Sequence, residues 1–102
     1  MPEYIFAYHG GEMPETEEEG AKMMERWNIW MQGLGDALVE PGNPVGKSWT
    51  VSADGVEANG GSNPLSGYSV VSAESMEAAA EMAKGCPHVD SGTVELAEII
   101  PM

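Results

Sequence analysis

A chain of 102 residues has room for one domain and none for a separate regulatory module. Four Lys and Arg against 17 Asp and Glu give a formal charge of -13, a sign that repels phosphate backbones and anionic membrane surfaces, so neither nucleic acid nor membrane is expected as a partner. The lone cysteine, Cys86, excludes an internal disulfide framework and fits a reducing compartment.

Tyr4-Ile5-Phe6-Ala7-Tyr8 is aromatic and β-branched and is closed by His9-Gly10-Gly11, which predicts a strand ending in a flexible turn. Its apolar residues are continuous rather than alternating, as in a strand covered on both faces. Thr16 and Glu19 have capping-box spacing, and Glu15, Glu17, Glu18 and Glu19 complement the positive end of a helix dipole. The helix so opened carries Met23, Trp27, Trp30 or Met31, and Leu34 on one stripe and ends near Gly33 and Gly35.

Ala37-Leu38-Val39 reads as a second strand, broken by the turn sequence Pro41-Gly42-Asn43-Pro44. Ser48-Trp49-Thr50-Val51 reads as a third, with a hairpin-like Asp54-Gly55 pair after it, and residues 58–64 form a loop by composition. Gly67-Tyr68-Ser69-Val70-Val71 is a further strand. The spacing of Met76, Ala79, Ala80 and Ala83 predicts a second helix over Met76 to Lys84, capped by Gly85 and closed by Pro87. Thr93 to Ile100 is the last strand.

This order contains the βαββαβ unit of ferredoxin-like α+β folds with an extra hairpin strand. Two helices cover one face of such a sheet. The other face has no element left to cover it, which predicts a homodimer that stacks sheet on sheet. Chains of this size bury only about 60 to 70% of their unfolded surface, so a partner adds needed apolar burial. Met1-Pro2-Glu3-Tyr4 has no basic stretch before an apolar run, and no window approaches the roughly 20 apolar residues that span a bilayer. A cytoplasmic location is therefore expected, with the acidic surface serving solubility.

The chain resembles the YCII-related domain family of small bacterial proteins. The likeness rests on Tyr8-His9-Gly10-Gly11, Trp27 through Gly35, Asn43-Pro44, Asn63-Pro64-x-x-Gly67-Tyr68, Ala73 through Ala78, Lys84-Gly85-Cys86-Pro87 and Gly92 through Leu96. The resemblance implies a dimeric α/β barrel much more securely than an activity. Some relatives look like enzymes with a histidine on the first helix paired to an aspartate in a cleft, and one branch acts on chlorinated aromatic breakdown products. Here the first helix, Thr16 to Gln32, has no histidine, so that pairing does not carry over. An Asp-Gly-Pro-Phe motif seen in another branch is replaced by Gly61-Ser62-Asn63-Pro64.

Three residues stand out as candidate catalytic groups. His9 exchanges protons readily near neutral pH and precedes two glycines where a ligand can approach closely, although a surface or loop histidine bonding a backbone carbonyl is the simpler account of it. Asp36 follows Gly35 and suits either a turn or the orientation of a histidine. Tyr68, like Tyr8, offers a phenol on a central strand, where core packing also explains it. Cys86 follows a helix C-terminus, whose negative end disfavours a thiolate, and reads as a packed, inert thiol despite His88 two residues on.

A metal site from His9, Glu12, His88 and Asp90 requires two loops to meet, and no metal is assigned. Gly10-Gly11 and Gly60-Gly61 lack the lysine and helix of a phosphate loop, so no cofactor is assigned either. Arg26 and Lys47 are the cations available to hold a small anion. One of Trp27 and Trp30 is expected to edge a cleft or a dimer seam, since both cannot sit centrally with Met23. The reading that follows is a cleft-bearing homodimer that binds or transforms a small organic molecule by acid-base chemistry. A non-catalytic ligand-binding or regulatory accessory protein is the alternative.

Overall fold

The structure is a computed structural model that describes residues 1–12 and 14–102. The elements run β1 (Glu3–Gly10), α1 (Glu17–Leu34), β2 (Leu38–Glu40), β3 (Thr50–Ser52), β4 (Gly55–Glu57), β5 (Leu65–Ser72), α2 (Met76–Lys84) and β6 (Gly92–Glu98), with single 3-10 turns at Gly35–Ala37 and Pro87–Asp90. Both helices begin where side-chain caps place them: Thr16 accepts the Glu19 N–H, and Ser75 accepts the Ala78 N–H. The Glu19 carboxylate takes the N–H of Glu15, one residue before the cap, rather than the Thr16 N–H that a reciprocal capping box would use.

Four strands form one antiparallel sheet in the order β2-β5-β1-β6, the ferredoxin-like arrangement. The extra strand predicted after Ser48 does not join it. β3 pairs only with β4, Val51 opposite Val56, and the two make a separate ribbon around the Asp54-Gly55 turn. β6 ends at Glu98, two residues short of the predicted limit, with the Ile99 N–H still bonded to the Glu3 carbonyl.

Side-chain alternation splits the sheet into two unlike faces. Tyr4, Phe6 and Tyr8 of β1 and Ser69 and Val71 of β5 point under the helices and are buried. Ala73, Ala79, Ala83 and Cys86 complete that core. Ile5 and Ala7 stand opposite Val70 and Tyr68 on the other face, all of them only half-buried, and among the described residues no helix lies over them. Thus the continuous apolar run of β1 meets a helix layer on one side and an open surface on the other.

Candidate functional site

The two helices meet the sheet differently. α2 presents Ala79 and Ala83, both buried, so its backbone lies close to the strands. α1 buries none of its residues fully. Its Trp30 ring stacks on Phe6 at 6.2 Å and donates its Nε1–H to the Met82 carbonyl, while Trp27 meets Tyr8 edge-on at 5.3 Å. These bulky rings hold α1 away from the sheet, and a cavity of about 640 Å³ opens beside them.

Met23, Met24 and Met31 of α1 with Trp27 form its apolar wall, and Pro41 to Pro44 form the opposite one. That opposite wall is fixed by main-chain bonds from Tyr68 N–H to the Asn43 carbonyl and from Val45 N–H to the Ser66 carbonyl. Gly42 is obligatory there, because its φ is +73° and a Cβ would strike the Tyr68 carbonyl.

One end of the cavity is polar. The Tyr8 hydroxyl donates to Ser69 Oγ at 2.8 Å, and Ser69 donates onward to the Pro41 carbonyl at 2.7 Å. Burial pushes the Tyr8 phenol above its ordinary range, and the Ser69 bond offsets only part of that rise. His88, on the 3-10 turn after Cys86, tilts against Tyr8 at 5.3 Å and donates Nε2–H to the His9 carbonyl at 2.9 Å. That bond assigns the neutral ring the Nε2–H tautomer and leaves a lone pair on Nδ1. Gly92 makes the placement possible, since a side chain there would collide with both the His9 carbonyl and the His88 ring.

The candidate residues read from sequence separate in space. His9 projects from the open sheet face, where Nδ1–H donates to the Asn63 carbonyl at 3.0 Å and Nε2 lies 3.0 Å from Glu95 Oε1. Tyr68 borders the cavity beside Gly42, but its side chain belongs to the open face with Ala7, and its hydroxyl donates to Glu40 at 3.2 Å. Asp36 is exposed on the 3-10 turn after α1, at the opposite end of the sheet. Leu38 pairs with Val71 whereas His9 pairs with Leu65, six residues or about 20 Å along β5. His9 and Asp36 therefore do not converge.

The loops carrying His9, Glu12, His88 and Asp90 do meet, with Glu12 N–H on Ser91 Oγ at 3.1 Å. Among the described residues, however, no three His, Cys, Asp or Glu side chains cluster as a metal site would require. Arg26 is paired to Asp90 at 2.6 Å, and Lys47 is exposed. Cys86 is 1% exposed and burial pushes its thiol from 9.0 to about 11, which fits a packed, unreactive group. Sequence alone ranks His88 behind His9, because its placement depends on a turn contacting a distant strand end. The signal available was a glycine at each of the two paired positions, Gly10 and Gly92.

No helix among the described residues is long and apolar enough to cross a membrane. No curated protein matches the chain. The family model of the YCII-related domain matches residues 5–102, nearly the whole chain, and the chain belongs to that family.

Proposed function

We propose that two copies of the chain stack their open sheet faces as a dimeric barrel, and that each copy binds a small organic molecule in the cavity beside α1. The cavity carries this reading: its volume lies within the usual range for ligand sites, and it joins an apolar body to one polar end. Of the two histidines, His88 lines it and His9 supports it through the carbonyl that fixes the His88 ring. His88 Nδ1 is thus the acid-base group of the site, Tyr68 and Tyr8 are lining residues, and His9 is a positioning residue.

The dimer is supported by surface area. A compact monomer of 10.8 kDa exposes about 5,500 Å², whereas this chain exposes 7136 Å², an excess of about 1,600 Å². Two copies removing that excess would bury about 3,200 Å², within the range of obligate dimers. The radius of gyration, 14.7 Å against about 13 Å for a compact chain of this length, tells the same story. Two apolar surfaces are open to such burial, the uncovered sheet face and the apolar face of the β3–β4 ribbon, where Trp49, Val51 and Val56 are 68%, 74% and 60% exposed. An isolated two-stranded ribbon is marginal in water, so covering by the second copy also steadies it.

Melting-temperature shifts across a panel of small, uncharged organic molecules test the binding function. A hit that shifts the wild-type protein but not a Met23→Trp variant, which fills the cavity, supports the site. A shift unchanged by Met23→Trp rejects it. Turnover of that hit, lost in His88→Ala, marks an enzyme. The accessory reading is favoured by one observation, the separation of His9 from Asp36, and gains if hits bind without turnover.

A further inference from the structure

We propose that Tyr8, Ser69 and His88 at the polar end of this cavity present acceptors only, so that it favours an uncharged hydrogen-bond donor, an O–H or N–H on an apolar body, over carboxylates and phosphates. The inference rests on the ligand-binding reading above and names the chemistry of the ligand. It follows from where each hydrogen goes. The Pro41 carbonyl has no hydrogen to give, so the Ser69 hydroxyl must donate its only one to it. Ser69 can then only accept from Tyr8, and the Tyr8 hydrogen is committed in turn. What Tyr8 has left toward the cavity is oxygen lone pairs.

The same reasoning holds for His88. The His9 carbonyl is an acceptor, so Nε2 carries the proton of the neutral ring and Nδ1 carries a lone pair. Tyr68 adds no donor, because its side chain lies on the open face opposite Ala7 and its hydroxyl hydrogen is committed to Glu40. The charges agree: Glu12 is among the lining residues, and none of the described lining residues is Lys or Arg. A bound anion would therefore face lone pairs and a carboxylate with nothing to neutralise it, whereas an O–H or N–H finds waiting acceptors. A hydrogen seated on His88 Nδ1 is also the one a general base would remove, which links selection to the chemistry proposed for the site.

Matched probes with similar apolar bodies test this: indole, 1-methylindole and 2-naphthoate, titrated against the wild-type protein by calorimetry. Indole is expected to bind at least about tenfold more tightly than 1-methylindole, and 2-naphthoate most weakly. Equal binding of indole and 1-methylindole, blocked by Met23→Trp, overturns the inference while leaving the cavity intact. Failure of both indoles to bind overturns the cavity reading and this inference with it. Tyr8→Phe, checked for native circular dichroism, is expected to narrow the gap between the two indoles. Independently of binding, nitrogen NMR of the His88 ring should show the Nε2–H tautomer at neutral pH, and an Nδ1–H tautomer would contradict the proposal.

Discussion

The two helices lie over the same sheet, yet one packs and the other props. α2 uses Ala79 and Ala83 to bring its backbone onto β1 and β6, and it ends above the buried Cys86. α1 is twice as long but meets the sheet through Trp27 and Trp30, and no residue along it is fully buried. Small side chains give close contact and a solid core, whereas large ones give distance and an enclosed space. The cavity is thus a consequence of residue size along α1 rather than of any gap in the fold.

This contrast can be broken most severely at Trp30. Trp30→Ala removes the stack on Phe6 and the bond to Met82, and is expected to cost about 3 kcal/mol in urea unfolding, with loss of the ligand-induced melting shift. Ala79→Leu forces bulk into the close helix and should destabilise by about 2 kcal/mol, while Met23→Leu on the propped helix should stay within about 1 kcal/mol.

A third test uses pH. The Cys86 thiol titrates higher in the folded chain than its ordinary 9.0, so its contribution to stability is complete below that value and is lost as pH climbs toward about 11. Denaturant midpoints should fall across that window, by up to about 1.4 kcal/mol per pH unit for this group, and Cys86→Ala should flatten that part of the profile. The smallest effect sharpens the comparison at the caps. Ser75→Ala and Thr16→Ala should each cost about 1 kcal/mol by urea unfolding, and amide exchange should locate each loss in the helix it caps.

Legibility in the sequence follows how local each feature is. The span Met76 to Lys84 is legible because Gly85 and Pro87 punctuate its end chemically. The capping pair at Thr16 and Glu19 marks the start of α1, while its end lies two residues past Gln32. Membership of a sheet is not local: Trp49, Val51 and Val56 alternate with Thr50, Ser52 and Glu57 as in any half-covered ribbon, and nothing nearby says whether a third strand lies alongside. β4 was not anticipated because Gly55-Val56-Glu57 holds one apolar residue and is recognisable only against its partner.

The site was legible only in fragments. Trp27, expected with Trp30 to supply one ring at a cleft or a dimer seam, borders the cavity, and so does Tyr68 beside Gly42. The emphasis on His9 over His88 came from strand position, but residue parity puts the His9 side chain on the open face. Only its carbonyl faces the His88 ring, and main-chain contacts of that kind leave no trace in residue type.

The short run from Pro41 to Pro44 has two attachments. Its first carbonyl terminates the hydroxyl chain that begins at Tyr8, and its far end, pinned to β5 at Pro44 and Val45, continues through residues 46–49 into the ribbon. The ribbon and the last acceptor in that chain thus share one anchor on β5. If a second molecule anchors the ribbon, ligand affinity and assembly become linked, and binding measured at increasing protein concentration should tighten as the pair forms.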